Sequence, residues 1–112
     1  MKKIILLTSI ISVFSINFSF AQEKKYKIHT IAFYNVENLF DTINDVNKND
    51  EASPIMEIEN GRSEIYNKKL KNLSRVISEI GYSETNSLPT VVGLSEVENK
   101  AVIQDLINTG NL

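Results

Sequence analysis

Two apolar runs separated by one amphipathic helix constrain this chain more than anything else in it. Tyr26 to Asn35 (YKIHTIAFYN) is rich in β-branched and aromatic residues and contains no Pro or Gly, which predicts a strand buried on both faces. Thr90 to Val97 (TVVGLSEV) predicts a second strand of the same kind. Between them, Ile65, Leu70, Leu73, Val76, Ile77 and Ile80 recur at helical spacing from about Ser63, interleaved with Lys68, Lys69, Lys71 and Arg75. Gly81 stands where a left-handed cap belongs. A helix between two strands provides the crossover that parallel pairing requires. Val102, Ile103, Leu106 and Ile107 predict a further helix, from near Asn99 to just before Gly110. The expected order is therefore β-α-β-α in the α/β class, with a polar loop over Asn44 to Gly61 and a turn over Ser83 to Pro89.

At 112 residues the chain has room for one domain at most. Its first segment reads as an address: Met1-Lys2-Lys3 is positive, Ile4 to Phe20 is dominated by apolar residues, and Ser19-Phe20-Ala21 has the small-x-small pattern of a cleavage site. Residues 1–21 are expected to be a signal peptide and residues 22–112 the mature, exported chain, in the periplasm or outside the cell. The apolar run is interrupted by Ser12, Ser15, Asn17 and Ser19, so no membrane association is expected after cleavage. The absence of Cys excludes a disulfide scaffold and a thiolate metal site. A formal net charge of -2 lacks the broad basic face of a non-specific nucleic-acid binder. An anionic substrate here needs another means of attraction.

Parallel strands carry their C-terminal ends to one edge of the sheet, so Asn35 and Glu96 are expected side by side, with strand axes about 4.8 Å apart. That edge is where open α/β sheets place ligands. After Val91, Val92 and Leu94, the Glu96 carboxylate needs a cation, hydrogen-bond donors or water. The alternative is that Glu96 is a strand-end acid in water or paired with Lys100, and Asn35 a simple strand terminator.

Three segments, in order, resemble the opening of the endonuclease/exonuclease/phosphatase family, which includes deoxyribonuclease I and the exonuclease III type repair nucleases. They are Phe33-Tyr34-Asn35-Val36-Glu37-Asn38-Leu39-Phe40-Asp41, the helix Tyr66 to Ile77, and Val92-Gly93-Leu94-Ser95-Glu96-Val97-Glu98-Asn99. The resemblance implies the N-terminal β-α-β-α portion of a four-layer α/β sandwich, and Mg²⁺- or Mn²⁺-dependent hydrolysis of phosphoester bonds, with DNA or RNA among the substrates. It implies that Glu96 is a metal ligand, that Asn35 is a catalytic asparagine positioning the scissile phosphate, and that Glu37 is a second acidic residue near the metal. Mg²⁺ takes oxygen ligands and needs only one or two carboxylates, so an acidic protein can hold an anion through it.

The family also uses a histidine, an Asp-x-Asn pair and a C-terminal Asp-His pair, which these residues do not supply. The only histidine, His29, is expected to be partly buried and structural, at the far end of the first strand from Asn35. Asp45-Val46-Asn47 spells Asp-x-Asn within the polar loop, and Asp45, Asn47 and Asn49 begin like a calcium loop. Asp50 and Met56 stand where that loop needs Gly and Glu. Lys68, Lys69, Lys71 and Arg75 read as a solvated helix face. Two readings follow: the N-terminal part of a secreted phosphodiesterase, most simply an endonuclease, or a non-catalytic binding module that keeps half the fold. The strand face away from the helices is expected to lie open along Ile31, Phe33, Val92 or Leu94.

Overall fold

A computed structural model describes residues 24–112; the expected signal peptide lies outside the described residues. The elements of the described residues are β1 (Ile31–Leu39), α1 (Arg62–Glu79), α2 (Tyr82–Thr85), β2 (Val91–Val97) and α3 (Lys100–Ile107), with a 3-10 turn at Asp50–Ala52. The two strands form one parallel sheet in the register Ile31↔Val91 to Asn35↔Ser95. The α/β order holds, and α2 adds one helical turn where a plain turn was expected.

β1 starts later and ends later than its sequence predicts. Pairing begins where the Thr90 N–H donates to the Thr30 carbonyl at 2.9 Å. Upstream of Thr90 stands Pro89, which has no N–H to continue the ladder. Beyond Asn35, the strand runs on through Val36 to Leu39.

Only one face of the sheet is covered. Ala32, Val36 and Leu39 are buried, whereas Phe33 is 86% exposed and Ile31 65% exposed, so among the described residues β1 is not buried on both faces and lies open along Ile31 and Phe33, as expected of the side away from the helices. The register sets Val91 beside Ile31 on the same open face, where it is 53% exposed. Val92 and Leu94 pack against the core instead. Gly93 lies under the Phe33 ring, where an added Cβ would come within 2.6 Å of Phe33 Cδ1.

The core joins Val36 and Leu39 of β1 to Tyr66, Leu70 and Ile77 of α1 and to Val102 and Leu106 of α3. Tyr66, Leu70, Ser74 and Ile77 form the buried stripe of α1, and Gly81, at φ +69°, turns the chain beyond its end. The Asn99 side chain caps α3 by accepting from the N–H groups of Ala101 at 2.7 Å and Val102 at 3.2 Å. The Tyr66 hydroxyl donates to Asp105 Oδ2 at 2.9 Å, tying α1 to α3. Burial and the Asp105 carboxylate push the Tyr66 pKa well above its ordinary value.

The Asn44–Gly61 loop folds back on the domain. Asp50 and Ser53 are buried, and Arg62 Nη2 donates to the Met56 carbonyl at 2.7 Å. Asp45 is engaged within the loop: Oδ1 accepts the Asn47 N–H at 3.0 Å, and Oδ2 pairs with Lys48 at 3.5 Å. The hydrogen bonds from Asn47 hold the Asp45 carboxyl below the usual range. Among the described residues no three His, Cys, Asp or Glu side chains gather as a metal cluster, and no helix is long and apolar enough to cross a membrane.

Candidate functional site

Regular pairing of β1 and β2 stops where the candidate residues begin. After Asn35↔Ser95 the next partners are Leu39↔Val97, so Val36, Glu37 and Asn38 stand opposite Glu96 alone. Such a bulge bends the strand and aims side chains anew. Its backbone is left-handed at Glu37 (φ 53°), Asn38 (φ 58°) and Glu96 (φ 61°). For residues with a Cβ this conformation costs about 1–2 kcal/mol each, most for Glu and less for Asn.

The left-handed turn at Glu96 determines where its carboxylate goes. In β2, Val92 and Leu94 pack against the core, so strict alternation would carry the Glu96 side chain inward too. Instead Glu96 is exposed on the side of Asn35, and Val97 packs against the core. The side chain thereby avoids the cost of burying an unpaired carboxylate.

Once there, Glu96 is held at both oxygens. Asn35 Nδ2 donates to Oε1 at 2.7 Å, and the Asn38 N–H donates to Oε2 at 3.1 Å. Asn35 is oriented in turn, its Oδ1 accepting the Glu37 N–H at 2.8 Å. The structure therefore brings Asn35 and Glu96 together at the expected edge of the sheet, but through the bulge and not through regular alternation, and Asn35 lies within β1 rather than at its end. Glu37 enters through its backbone, and its side chain borders a cleft with Asn35, Lys68, Lys69 and Asn72. Just past the bulge, the Glu98 N–H donates to the Leu39 carbonyl at 3.1 Å, and Glu98 Oε2 accepts the Asp41 N–H at 2.9 Å.

Two expectations are corrected here. Lys69 does not belong to a solvated face: it is half-buried, and its ammonium donates to the carbonyls of Glu37 and of Asn38, the latter at 3.1 Å. Burial lowers its pKa, while the Glu37 and Glu96 carboxylates oppose that shift. Its helical position held the signal, since residue 69 lies one turn from both Tyr66 and Leu73 and so borders the apolar stripe. His29 is exposed rather than partly buried, with Nδ1 3.0 Å from Thr90 Oγ1, before β1 begins and at the edge of the sheet remote from Glu96.

The donor set suits a hard cation. Each carboxylate oxygen of Glu96 accepts one hydrogen bond and keeps further lone-pair capacity, and the neighbouring side-chain acceptors are all oxygen. The Asn35 carbonyl oxygen, already accepting from Glu37, serves orientation.

No curated protein and no solved structure matches the chain. A family model does: the one described as "Endonuclease/Exonuclease/phosphatase family" matches residues 30–112, a span that takes in β1, β2, α1, α2, α3 and the Asn35–Glu96 pair. With that match across most of its length, the chain belongs to the endonuclease/exonuclease/phosphatase family.

Proposed function

We propose that this chain contributes Asn35 and Glu96 to the centre of an exported, divalent-metal-dependent phosphodiesterase acting on nucleic acid, and that its β-α-β-α order is the N-terminal portion of a four-layer α/β sandwich. One observation carries the reading: Glu96 leaves the strand alternation, at a cost in backbone energy, to set its carboxylate between two fixed donors at the carboxyl edge of a parallel sheet. A solvated strand-end acid needs no such arrangement.

In this reading Glu96 holds Mg²⁺ or Mn²⁺, with Glu37 as the nearest further carboxylate. When bound, the cation supplies Lewis-acid polarisation of a phosphoryl oxygen and stabilises developing negative charge. The chain's own groups prepare that chemistry. The Asn35 amide fixes the rotation of the Glu96 carboxylate, and the Asn38 N–H fixes its second oxygen. Lys68 and Asn72, on the cleft wall beside Asn35, offer donors to a phosphate oxygen. The sparse positive charge of the chain is then no obstacle to an anionic substrate.

Paramagnetic broadening by Mn²⁺ tests the placement. The amide resonances of Glu37, Asn38 and Glu96 should broaden first, Mg²⁺ should reverse the effect, and Glu96→Gln should abolish it. Broadening that begins in the Asp45–Asp50 loop, or that survives Glu96→Gln unchanged, would overturn the proposal.

A further inference from the structure

The peptide unit between Glu37 and Asn38 carries two hydrogen bonds with opposite roles. Its N–H belongs to Asn38 and donates to Glu96 Oε2 at 3.1 Å. Its carbonyl belongs to Glu37 and accepts from the Lys69 ammonium. One peptide therefore bridges an ammonium to a carboxylate, and each charged partner polarises it in the direction that strengthens the other bond. Lys69 also takes the next carbonyl, that of Asn38, at 3.1 Å.

We infer that Lys69 is a positioning residue for the Glu96 site, fastening the left-handed Glu37–Asn38 turn from behind so that its N–H groups face Asn35 and Glu96. Two consecutive left-handed residues, one of them Glu, are a costly conformation that the surrounding structure must hold. Two adjacent carbonyls directed at one ammonium hold it, because any other conformation of residues 37 and 38 gives up a charge-assisted bond. Lys69 comes from α1, which is rooted in the core by Tyr66 and Leu70 on either side of it. The clamp thus transmits the rigidity of the core to a site that is otherwise exposed. Lys69 is half-buried, which gives a further reason for its ammonium to keep both carbonyl partners.

This inference rests on the reading of Glu96 as a metal ligand, and its test separates the two. Mn²⁺ affinity of the full chain is measured from the electron paramagnetic resonance signal of the free ion, in the wild type, Glu96→Gln, Lys69→Met, Lys69→Gln and Lys69→Arg. Amide hydrogen exchange across residues 36–41 is followed in parallel. Loss of a partner that orients a metal ligand commonly weakens affinity by about 10-fold or more. That is the loss expected for Lys69→Met and Lys69→Gln, with faster exchange at Asn38, unchanged exchange in α1, and recovery of both in Lys69→Arg. If Glu96→Gln binds Mn²⁺ as the wild type does, the metal-site reading falls and this inference falls with it. If Glu96→Gln is defective while whichever uncharged Lys69 variant keeps wild-type helicity also keeps wild-type affinity and Asn38 protection, Lys69 has no positioning role and the metal site stands.

Discussion

Replacing Asn35 by Asp changes one donor into an acceptor with almost no change of shape, which isolates the Asn35–Glu96 contact. In the wild type an amide N–H lies 2.7 Å from Glu96 Oε1. In the variant two carboxylate oxygens meet at that spacing. For unit charges near 3 Å apart, repulsion at the dielectric constant of water is about 1.4 kcal/mol, and the exposure of both side chains makes that value the appropriate one. Losing a hydrogen bond to a charged group, discounted for the same exposure, adds about 1 kcal/mol. The sum of about 2 kcal/mol lowers the melting temperature by roughly 10 °C for a domain of this size. The repulsion needs both charges, so the variant's relative stability is greatest in acid, where the introduced carboxyl is protonated, and declines as pH rises. Melting followed by circular dichroism should accordingly show a large deficit against wild type near about pH 7 that shrinks by half or more near about pH 4, where one proton is shared. Asn35→Ala, which loses the bond without adding charge, should show a smaller deficit at neutral pH. Equal deficits for the two variants at neutral pH, or an Asn35→Asp deficit unaffected by acid, would refute the contact.

Tyr66→Phe removes the hydroxyl bond to Asp105 and should cost about 1 kcal/mol at neutral pH. Because the folded-state pKa of Tyr66 is raised, the wild type should lose stability faster than the variant above about pH 10, and a constant difference between their alkaline melting curves would count against that environment. Phe33→Lys places a charge on the open sheet face formed with Ile31 and Val91. The wild-type chain is expected to self-associate through exposed apolar surface, and sedimentation velocity should give a larger monomer fraction for the variant; a wild type that is already monomeric at every concentration would show the face to be harmless.

The legible parts of the chain were those where one periodicity persists. The extents of α1 and α3 and the Gly81 turn followed from spacing alone, but the buried stripe of α1 did so only at Leu70 and Ile77: Tyr66 and Ser74 are buried outside the expected apolar positions, and Ile65 is exposed. Parallel pairing followed from the helix between the strands. The reading stopped at Asn35 because Val36-Glu37-Asn38-Leu39 breaks period two, and alternation carries no information on whether a break ends a strand or bulges it. Two of the most deeply buried side chains, Val36 and Leu39, were missed for that reason. The open face at Ile31 and Phe33 was expected, but its β2 residues were misjudged: Val91 lies there, and Val92 and Leu94 pack against the core. An apolar run is compatible with cover on both sides, and the described structure places its helices' buried residues against only one.

The site and the break in periodicity have a single cause. Asn35 belongs to the open face by the register that sets Phe33 opposite Gly93, whereas Glu96 belongs by alternation to the core face with Val92 and Leu94. In an unbroken parallel ladder the two side chains would lie on opposite sides of the sheet. Inserting Glu37 and Asn38 into β1 and turning Glu96 left-handed in β2 shifts both strands out of phase together, so Leu39 and Val97 still meet in register on the core side. The packing beyond the bulge is thereby preserved, and the conformational cost is confined to three residues whose hydrogen-bonding groups face Asn35, Glu96 and Lys69. A Gly at position 96 would adopt the same backbone without strain but would bring no carboxylate. With Glu at 96, the strained backbone and the two hydrogen bonds to its carboxylate fall on one residue.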